Sequence, residues 1–133
     1  MKHKITVIVV VLVAVSAFYL IADRIPPCDL TISNMLETKR RIIRYARIHN
    51  KLPENLDSLP KIEGHVNSVV DGWGRPIIYR YDDGQGVVLL TSLGESGDPA
   101  CKRTKPCIVK SFKPKTIDGE WVDELAGWLD QPK

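Results

Sequence analysis

Charged residues are absent from residues 5–22, and glycine and glutamate are absent from the first 36 residues. The uncharged run is 18 residues long, and charged residues flank it on both sides. As a helix it spans roughly 27 Å, which is close to the thickness of the hydrocarbon core of a bilayer. The sequence therefore predicts a transmembrane helix over residues 5–22.

Positive charge near the N-terminus predicts the orientation of that helix. Lys2 and Lys4 lie on its N-terminal side, and basic residues next to a membrane span favour the cytoplasmic side. We therefore expect residues 1–4 inside the cell, a linker over residues 23–30 and a single domain over residues 31–133 outside the membrane. A domain of roughly 100 residues is large enough for one modest hydrophobic core.

A cleaved signal peptide is the alternative interpretation of the same segment. Val15, Ser16 and Ala17 include a small-residue cleavage site, and cleavage there would release a soluble exported module. The apolar run continues through residues 18–22, past that site, and this favours a retained anchor. Both interpretations export the domain.

Cysteine is scarce, with three in the chain. Cys101 and Cys107 enclose five residues, and in an oxidising compartment we expect them to form a disulfide. For Cys28 we consider a free thiol first, then an intermolecular disulfide, then a lipid anchor. Pro27 does not fit the small residue that precedes a lipidated cysteine.

Several classes of function lack their sequence signals. The net charge is +3, and no Lys or Arg cluster is interleaved with aromatic residues, so nucleic-acid binding is not expected. His49, His65 and Cys28 stand at no recognisable metal-ligand spacing. Ser92 lacks a nucleophile-elbow motif, and no glycine-rich phosphate loop follows a strand. We therefore predict neither an enzyme nor a zinc protein.

An amphipathic helix is predicted to start soon after Pro27 and to end near Asn50. Three residues are candidate N-caps: Asp29, Thr31 and Asn34. Helical spacing places five apolar residues on one face: Ile32, Met35, Leu36, Ile43 and Ala46. Lys39 interrupts that face. The opposite face carries Arg40, Arg41, Arg44 and Arg47, and it is either a solvated surface or a contact with an acidic partner or lipid headgroups.

Strands follow a proline-bracketed loop. In residues 52–60, Leu56 and Leu59 are predicted to pack back on the helix. The alternation over residues 77–81 and the β-branched run over residues 87–91 predict an antiparallel hairpin, and residues 107–112 supply a third strand. Trp121, Leu125 and Trp128 have helical spacing in the C-terminal tail. The predicted class is α+β, with the amphipathic helix packed on a small antiparallel three-stranded sheet.

Two short motifs carry a resemblance to a known family. The first is a turn formed by Asp71, Gly72, Trp73, Gly74, Arg75 and Pro76, and the second is a corner formed by Ser92, Leu93 and Gly94. In their order and spacing they resemble the Asp-Pro-Trp-Gly-x-Pro and Ser-Leu-Gly motifs of the major pseudopilin of type II secretion, a type IV pilin-like family. The resemblance covers roughly residues 31–100.

The resemblance implies a structural or accessory component of a type II secretion or type IV pilus-like machine. It implies a single-pass protein of the bacterial inner membrane with a periplasmic domain. Its partners would be other pseudopilin or secretion-system subunits, and membrane lipid through residues 5–22. The family's leader glycine and N-terminal glutamate have no counterpart in the first 36 residues.

The resemblance also bears on calcium. The family binds calcium through aspartates in the loop after Ser-Leu-Gly, whereas here Ser96 stands at the position of the first of them. Glu95 and Asp98 remain as weak calcium candidates, although two carboxylates fall short of the six to eight oxygens that calcium takes. We therefore expect no cofactor, and we hypothesise that the disulfide between Cys101 and Cys107 replaces the metal in holding this loop.

Overall fold

One long helix packs against a small three-stranded antiparallel sheet, which confirms the predicted α+β class. The computed structural model of the chain describes residues 25–101, 104, 106–114 and 116–122, together with Val13 and Ser16. In this part of the chain no helix is both long and apolar enough to cross a membrane. The predicted transmembrane segment, residues 5–22, lies outside the described residues except for those two positions.

Helix α1, Pro27–His49, begins earlier than predicted. Residues 27–30, which the sequence assigns to a linker, form its first turn. The three candidate N-caps therefore lie within the helix and not at its start. Pro27 stands at the first helical position, where a missing amide hydrogen costs nothing and a fixed φ suits the helix. The helix ends at the predicted place, because Asn50 adopts the left-handed conformation of a C-cap with φ 51°.

The buried face of α1 is rotated slightly from the predicted one. Met35, Ile43 and Ala46 are buried as expected, and Ile42 joins them with no exposed surface. Ile32 and Leu36 are each 36% exposed, so the first half of the predicted face is turned towards solvent.

Arg41 corrects the prediction of a basic solvent face. It is 4% exposed, and its guanidinium donates to the carbonyls of Pro60 at 2.9 Å, Asn67 at 3.0 Å and Leu59 at 3.3 Å. Burial lowers the pKa of the Arg41 guanidinium, and the nearby Glu37 carboxylate partly opposes this. Arg41 therefore fastens the loop of residues 59–67 to the helix.

The proline-bracketed loop folds as predicted. It contains a short 3-10 turn, Leu56–Ser58, capped by the side chain of Asn55, which accepts from two backbone amides of the turn. Leu56 and Leu59 are 9% and 6% exposed and belong to the core beneath the helix.

The sheet contains β1 (Ile78–Asp82), β2 (Val87–Ser92) and β3 (Ile108–Phe112) in that spatial order. All neighbours are antiparallel, with Ile78 opposite Thr91 and Ser92 opposite Ile108. The predicted hairpin and third strand are both confirmed. Val88, Leu90 and Phe112 supply the sheet's contribution to the core.

A two-stranded hairpin, β4 (Thr116–Ile117) and β5 (Glu120–Trp121), lies against α1. Arg47 donates to the Trp121 carbonyl at 2.6 Å, and the Trp121 indole donates to Asn50 at 3.2 Å. Trp121 is thus in a strand, not in the terminal helix that its spacing suggested. Leu125 and Trp128 lie outside the described residues.

Candidate functional site

The first motif folds into a tight turn organised by one carboxylate. Asp71 Oδ1 accepts from the backbone amides of Trp73 and Arg75, both at 2.9 Å. The Asp71 amide donates to the Arg75 carbonyl at 2.7 Å, and Gly74 supplies a φ of 80°. A carboxylate oxygen that accepts from amides two and four residues onward stabilises the turn locally.

The second motif is joined to the first through the other oxygen of the same carboxylate. Ser92 Oγ donates to Asp71 Oδ2 at 2.7 Å and accepts from the Gly94 amide at 3.0 Å. Asp71 is 2% exposed and Ser92 has no exposed surface. A buried carboxylate is tolerated when hydrogen bonds satisfy it, and three such bonds are present here.

The turn is also fixed to helix α1. The Gly72 amide donates to Thr31 Oγ1 at 2.8 Å, and that hydroxyl donates in turn to the Pro27 carbonyl at 2.7 Å. A Cβ atom at Gly72 would overlap the Pro27 carbonyl. Glycine is therefore required here because the turn and the start of the helix are in backbone contact.

Arg75 extends from the turn into the loop after the Ser-Leu-Gly corner. Its guanidinium donates to the Gly94 carbonyl at 2.6 Å and to the Glu95 carbonyl at 3.3 Å. A Cβ atom at Gly97 would lie 2.8 Å from Arg75 Nε, so the loop closes tightly over the side chain. The positive group bound to this loop's carbonyls is thus an arginine of the chain itself.

The disulfide between Cys101 and Cys107 is present, as predicted, with the two Cα atoms 5.0 Å apart. It closes the far side of the loop that Arg75 holds. Gly94, with a φ of 65°, allows the loop to pass close to the Pro106 carbonyl, which would lie 2.6 Å from an added Cβ atom.

The calcium candidates do not assemble a recognisable metal centre. Asp98 Oδ1 accepts from the Ala100 amide at 2.9 Å, and the Glu95 carbonyl accepts from Arg75. Across the described part of the chain, no three His, Cys, Asp or Glu side chains converge on one point where they could hold a metal ion.

We call the contacts of Asp71, Ser92, Thr31 and Arg75, which join the turn to the helix, the strand and the loop, the junction. The remaining motif residues lie around it. Trp73 and Leu93 are half-buried, and Pro76 is exposed and pairs with Val70 in an isolated bridge. Cys28 is separate from the junction: it is an exposed cysteine in the first turn of α1 and forms no disulfide within the chain.

Two residues of the junction were missed from the sequence. The sequence indicates Thr31 only as a candidate helix cap. Helical periodicity gives no sign that its hydroxyl accepts a hydrogen bond from the amide of Gly72, 41 residues away. Arg75 lies inside the first motif, yet its position in the turn gives no sign that it binds the loop after the second.

A second feature, also missed, is a pocket between the 3-10 turn and the start of β1. Its volume is about 250 Å³, and its apolar walls include Leu56 and Ile77 while Glu54 and Asp57 stand among its lining residues. Tyr79 lines it too, and its buried hydroxyl has no hydrogen-bond partner among the described residues. Burial raises the pKa of Tyr79 to about 12, with a smaller contribution from Tyr81.

Comparison with known proteins adds no relative to this picture: no family model, curated protein sequence or solved structure matches the chain. The fold and the junction therefore have to carry the functional argument themselves. The junction's contacts join helix, turn, strand and loop, and they are contacts of a structural kind.

Proposed function

We propose that the chain is a membrane-anchored structural or accessory component of a type II secretion or type IV pilus-like machine. Its domain outside the bacterial inner membrane is pseudopilin-like. The observation that carries this proposal is the hydrogen bond between Asp71 and Ser92, because it joins the two motifs on which the resemblance rests. Two motifs that are distant in sequence form one structural unit, as a shared fold would require.

The exposed part of α1 supports a role in assembly. The helix begins five residues after the predicted transmembrane segment, and Ile32 and Leu36 stand one turn apart with about a third of their surface exposed. Ile25, just before the helix, is 64% exposed. An apolar surface close to the predicted membrane boundary suits contact with a partner subunit or with lipid.

The first experiment measures the intact mass of the protein extracted from native envelopes, with and without thiol alkylation. The proposal expects residues 5–22 to be retained and one disulfide to be present. A chain shortened after Ala17 would favour the soluble exported module instead. A cut nearer the start with a methylated terminus would identify a pilin-type subunit.

A crosslinking experiment on the same full-length chain tests the assembly role. A photoreactive residue at Leu36 should give crosslinks within the envelope, whether to a second copy or to another envelope protein. The matched control is the same residue at Ile78, an apolar position that is 47% exposed in strand β1 of the sheet. Crosslinks equal in yield and identity at both positions would count against a partner on α1.

A further inference from the structure

The pocket beside β1 combines three properties that point to an occupant. The apolar side chains of Leu56, Pro76 and Ile77 line it, and the exposed acidic residues Glu54 and Asp57 lie among the lining residues. Tyr79 contributes the one buried side-chain polar atom that lacks a hydrogen-bond partner in the described part of the chain. Buried polar groups are nearly always satisfied, so an unsatisfied hydroxyl on a side chain that lines the pocket points to a missing partner.

The size and chemistry of the pocket select the class of that partner. A volume of about 250 Å³ is below the range of roughly 300–1,000 Å³ usual for small-molecule sites, and it suits a single long side chain. Apolar walls suit the methylene stem of arginine or lysine, and carboxylates suit the charged head. The planar guanidinium can donate to a carboxylate and to a phenol oxygen together, which favours arginine.

The chain itself carries suitable arginines. Arg44 is exposed and Arg40 half-buried, one helical turn apart on α1, and neither makes a hydrogen bond or ion pair with another described residue. Arg41 and Arg47, by contrast, are bound to backbone carbonyls of their own chain. The basic pair and the acidic pocket are therefore two complementary surfaces, and no contact between them is present within the chain.

We propose that the acidic pocket of one copy receives Arg40 or Arg44 from helix α1 of a second copy. The contact uses different surfaces on the two chains, so it is heterologous and can repeat from copy to copy. The inference rests on the proposed structural function and names a partner for it. The contact should weaken with salt, because both charged surfaces are open to solvent when apart.

Orthogonal charge reversal in the full-length chain tests the proposal. The pocket variant carries Glu54→Lys and Asp57→Lys, and the helix variant carries Arg40→Glu and Arg44→Glu. Two differently tagged copies are co-expressed, and their co-purification from detergent-solubilised envelopes is measured. We expect wild-type copies to co-purify and each variant paired with itself to lose at least about tenfold.

The decisive pairing is the pocket variant with the helix variant. In this pair the helix variant keeps its native acidic pocket and the pocket variant keeps its native basic helix, and the two reversed surfaces are complementary as well, so co-purification should return to near the wild-type level. The matched control is Glu63→Lys with Asp83→Lys, which makes the same change in charge at two exposed carboxylates outside the pocket and should leave association unchanged. Failure of the complementary pair to recover would overturn the proposal.

Tyr79→Phe tests the contact between copies separately from the stability of the fold. Removing a hydroxyl that is unsatisfied in the single chain should keep or raise the melting temperature while weakening co-purification severalfold. Equal co-purification with and without the hydroxyl would count against its part in the contact.

The outcomes also separate this inference from the proposed function. Suppose that the copies do not associate, but that a different envelope protein co-purifies with the wild type and is lost from the pocket variant. This result would refute a second copy as the occupant and would leave the proposed structural role intact. A chain recovered cut after Ala17 and without any envelope partner would refute the structural role itself.

Discussion

The carboxylate of Asp71 and the hydroxyl of Ser92 meet through a 2.7 Å hydrogen bond between two buried side chains that stand 21 residues apart in the chain. The same carboxylate accepts hydrogen bonds from two amides of its own turn, and the same hydroxyl accepts one from the Gly94 amide. A turn, the end of a strand and the start of a loop are therefore fixed by one pair of side chains.

Ser92→Ala should destabilise the fold through this pair. It leaves Asp71 Oδ2 and the Gly94 amide without their shared partner, and an unsatisfied buried group costs about 1–3 kcal/mol. We expect the free energy of unfolding to fall by about 2 kcal/mol, measured by urea unfolding of the purified full-length chain in detergent. Ser33→Ala, at an exposed position on α1, should change it by less than about 0.5 kcal/mol. Equal effects of the two changes would contradict the assignment.

The sequence predicts the helix and the strands correctly where apolar residues recur at a regular period and all pack on one buried surface. Helical spacing located Met35 and Ile43 on the core face, and β-branched alternation located the hairpin, because both depend on burying apolar side chains at a regular period. The start of α1 was misjudged because Pro27 can begin a helix as readily as interrupt one.

The parts that escaped sequence reasoning depend on contacts between distant segments. Arg41 was expected on an exposed face, either solvated or in contact with an acidic partner or lipid headgroups. It is buried instead, because the irregular segment of residues 59–67 folds over it and offers three carbonyls. No periodicity describes such a segment. The two motifs of the junction were recognised by resemblance, whereas the bonds that join them became visible in three dimensions alone.

Arg41→Lys provides a test of that buried role. A lysine ammonium cannot span three carbonyls in the fork geometry of a guanidinium, so at least one buried acceptor loses its partner. We expect a loss of about 2 kcal/mol in the free energy of unfolding. Arg44→Lys is the matched control, since Arg44 is exposed on the same helix and should tolerate the change with little effect on stability. If both changes are neutral, the bonds from Arg41 contribute little.

The loop after the Ser-Leu-Gly corner should be stable without calcium. Arg75 holds its near side through two carbonyls, and the disulfide between Cys101 and Cys107 closes its far side. We expect calcium to leave the melting temperature of the full-length chain unchanged, and reduction of the disulfide to lower stability by about 2 kcal/mol. A rise of several degrees on adding calcium would refute this hypothesis.

Arg75→Ala separates the arginine from the disulfide. It removes two charge-assisted hydrogen bonds to the loop, and we expect a loss of about 2 kcal/mol in unfolding free energy with the disulfide intact. Arg80→Ala, at an exposed position in β1, is the control for loss of an arginine alone and should have a small effect. The same urea titration measures both.

Tyr79 gives the fold an alkaline limit. Its pKa is about 12 in the folded chain against 10.0 for the ordinary phenol, because burial disfavours the phenolate. Below pH 10 the phenol is neutral in both folded and unfolded chains, and the full stability is present. Between pH 10 and about 12 the unfolded chain releases the proton while the folded chain retains it, so stability falls as pH rises.

Tyr79→Phe should therefore remove part of the alkaline loss of stability. The melting temperature of the full-length chain, measured from pH 9 to 12, should fall less steeply for this variant than for the wild type. Tyr45→Phe is the control for loss of a tyrosine hydroxyl elsewhere in the chain, because Tyr45 lies on helix α1 and is not among the residues that line the pocket. Identical slopes for Tyr79→Phe and the wild type would mean that the phenol titrates in the folded chain as it does in water. The pocket would then have to be open enough to hydrate the hydroxyl, and the case for a missing hydrogen-bond partner there would lose its basis.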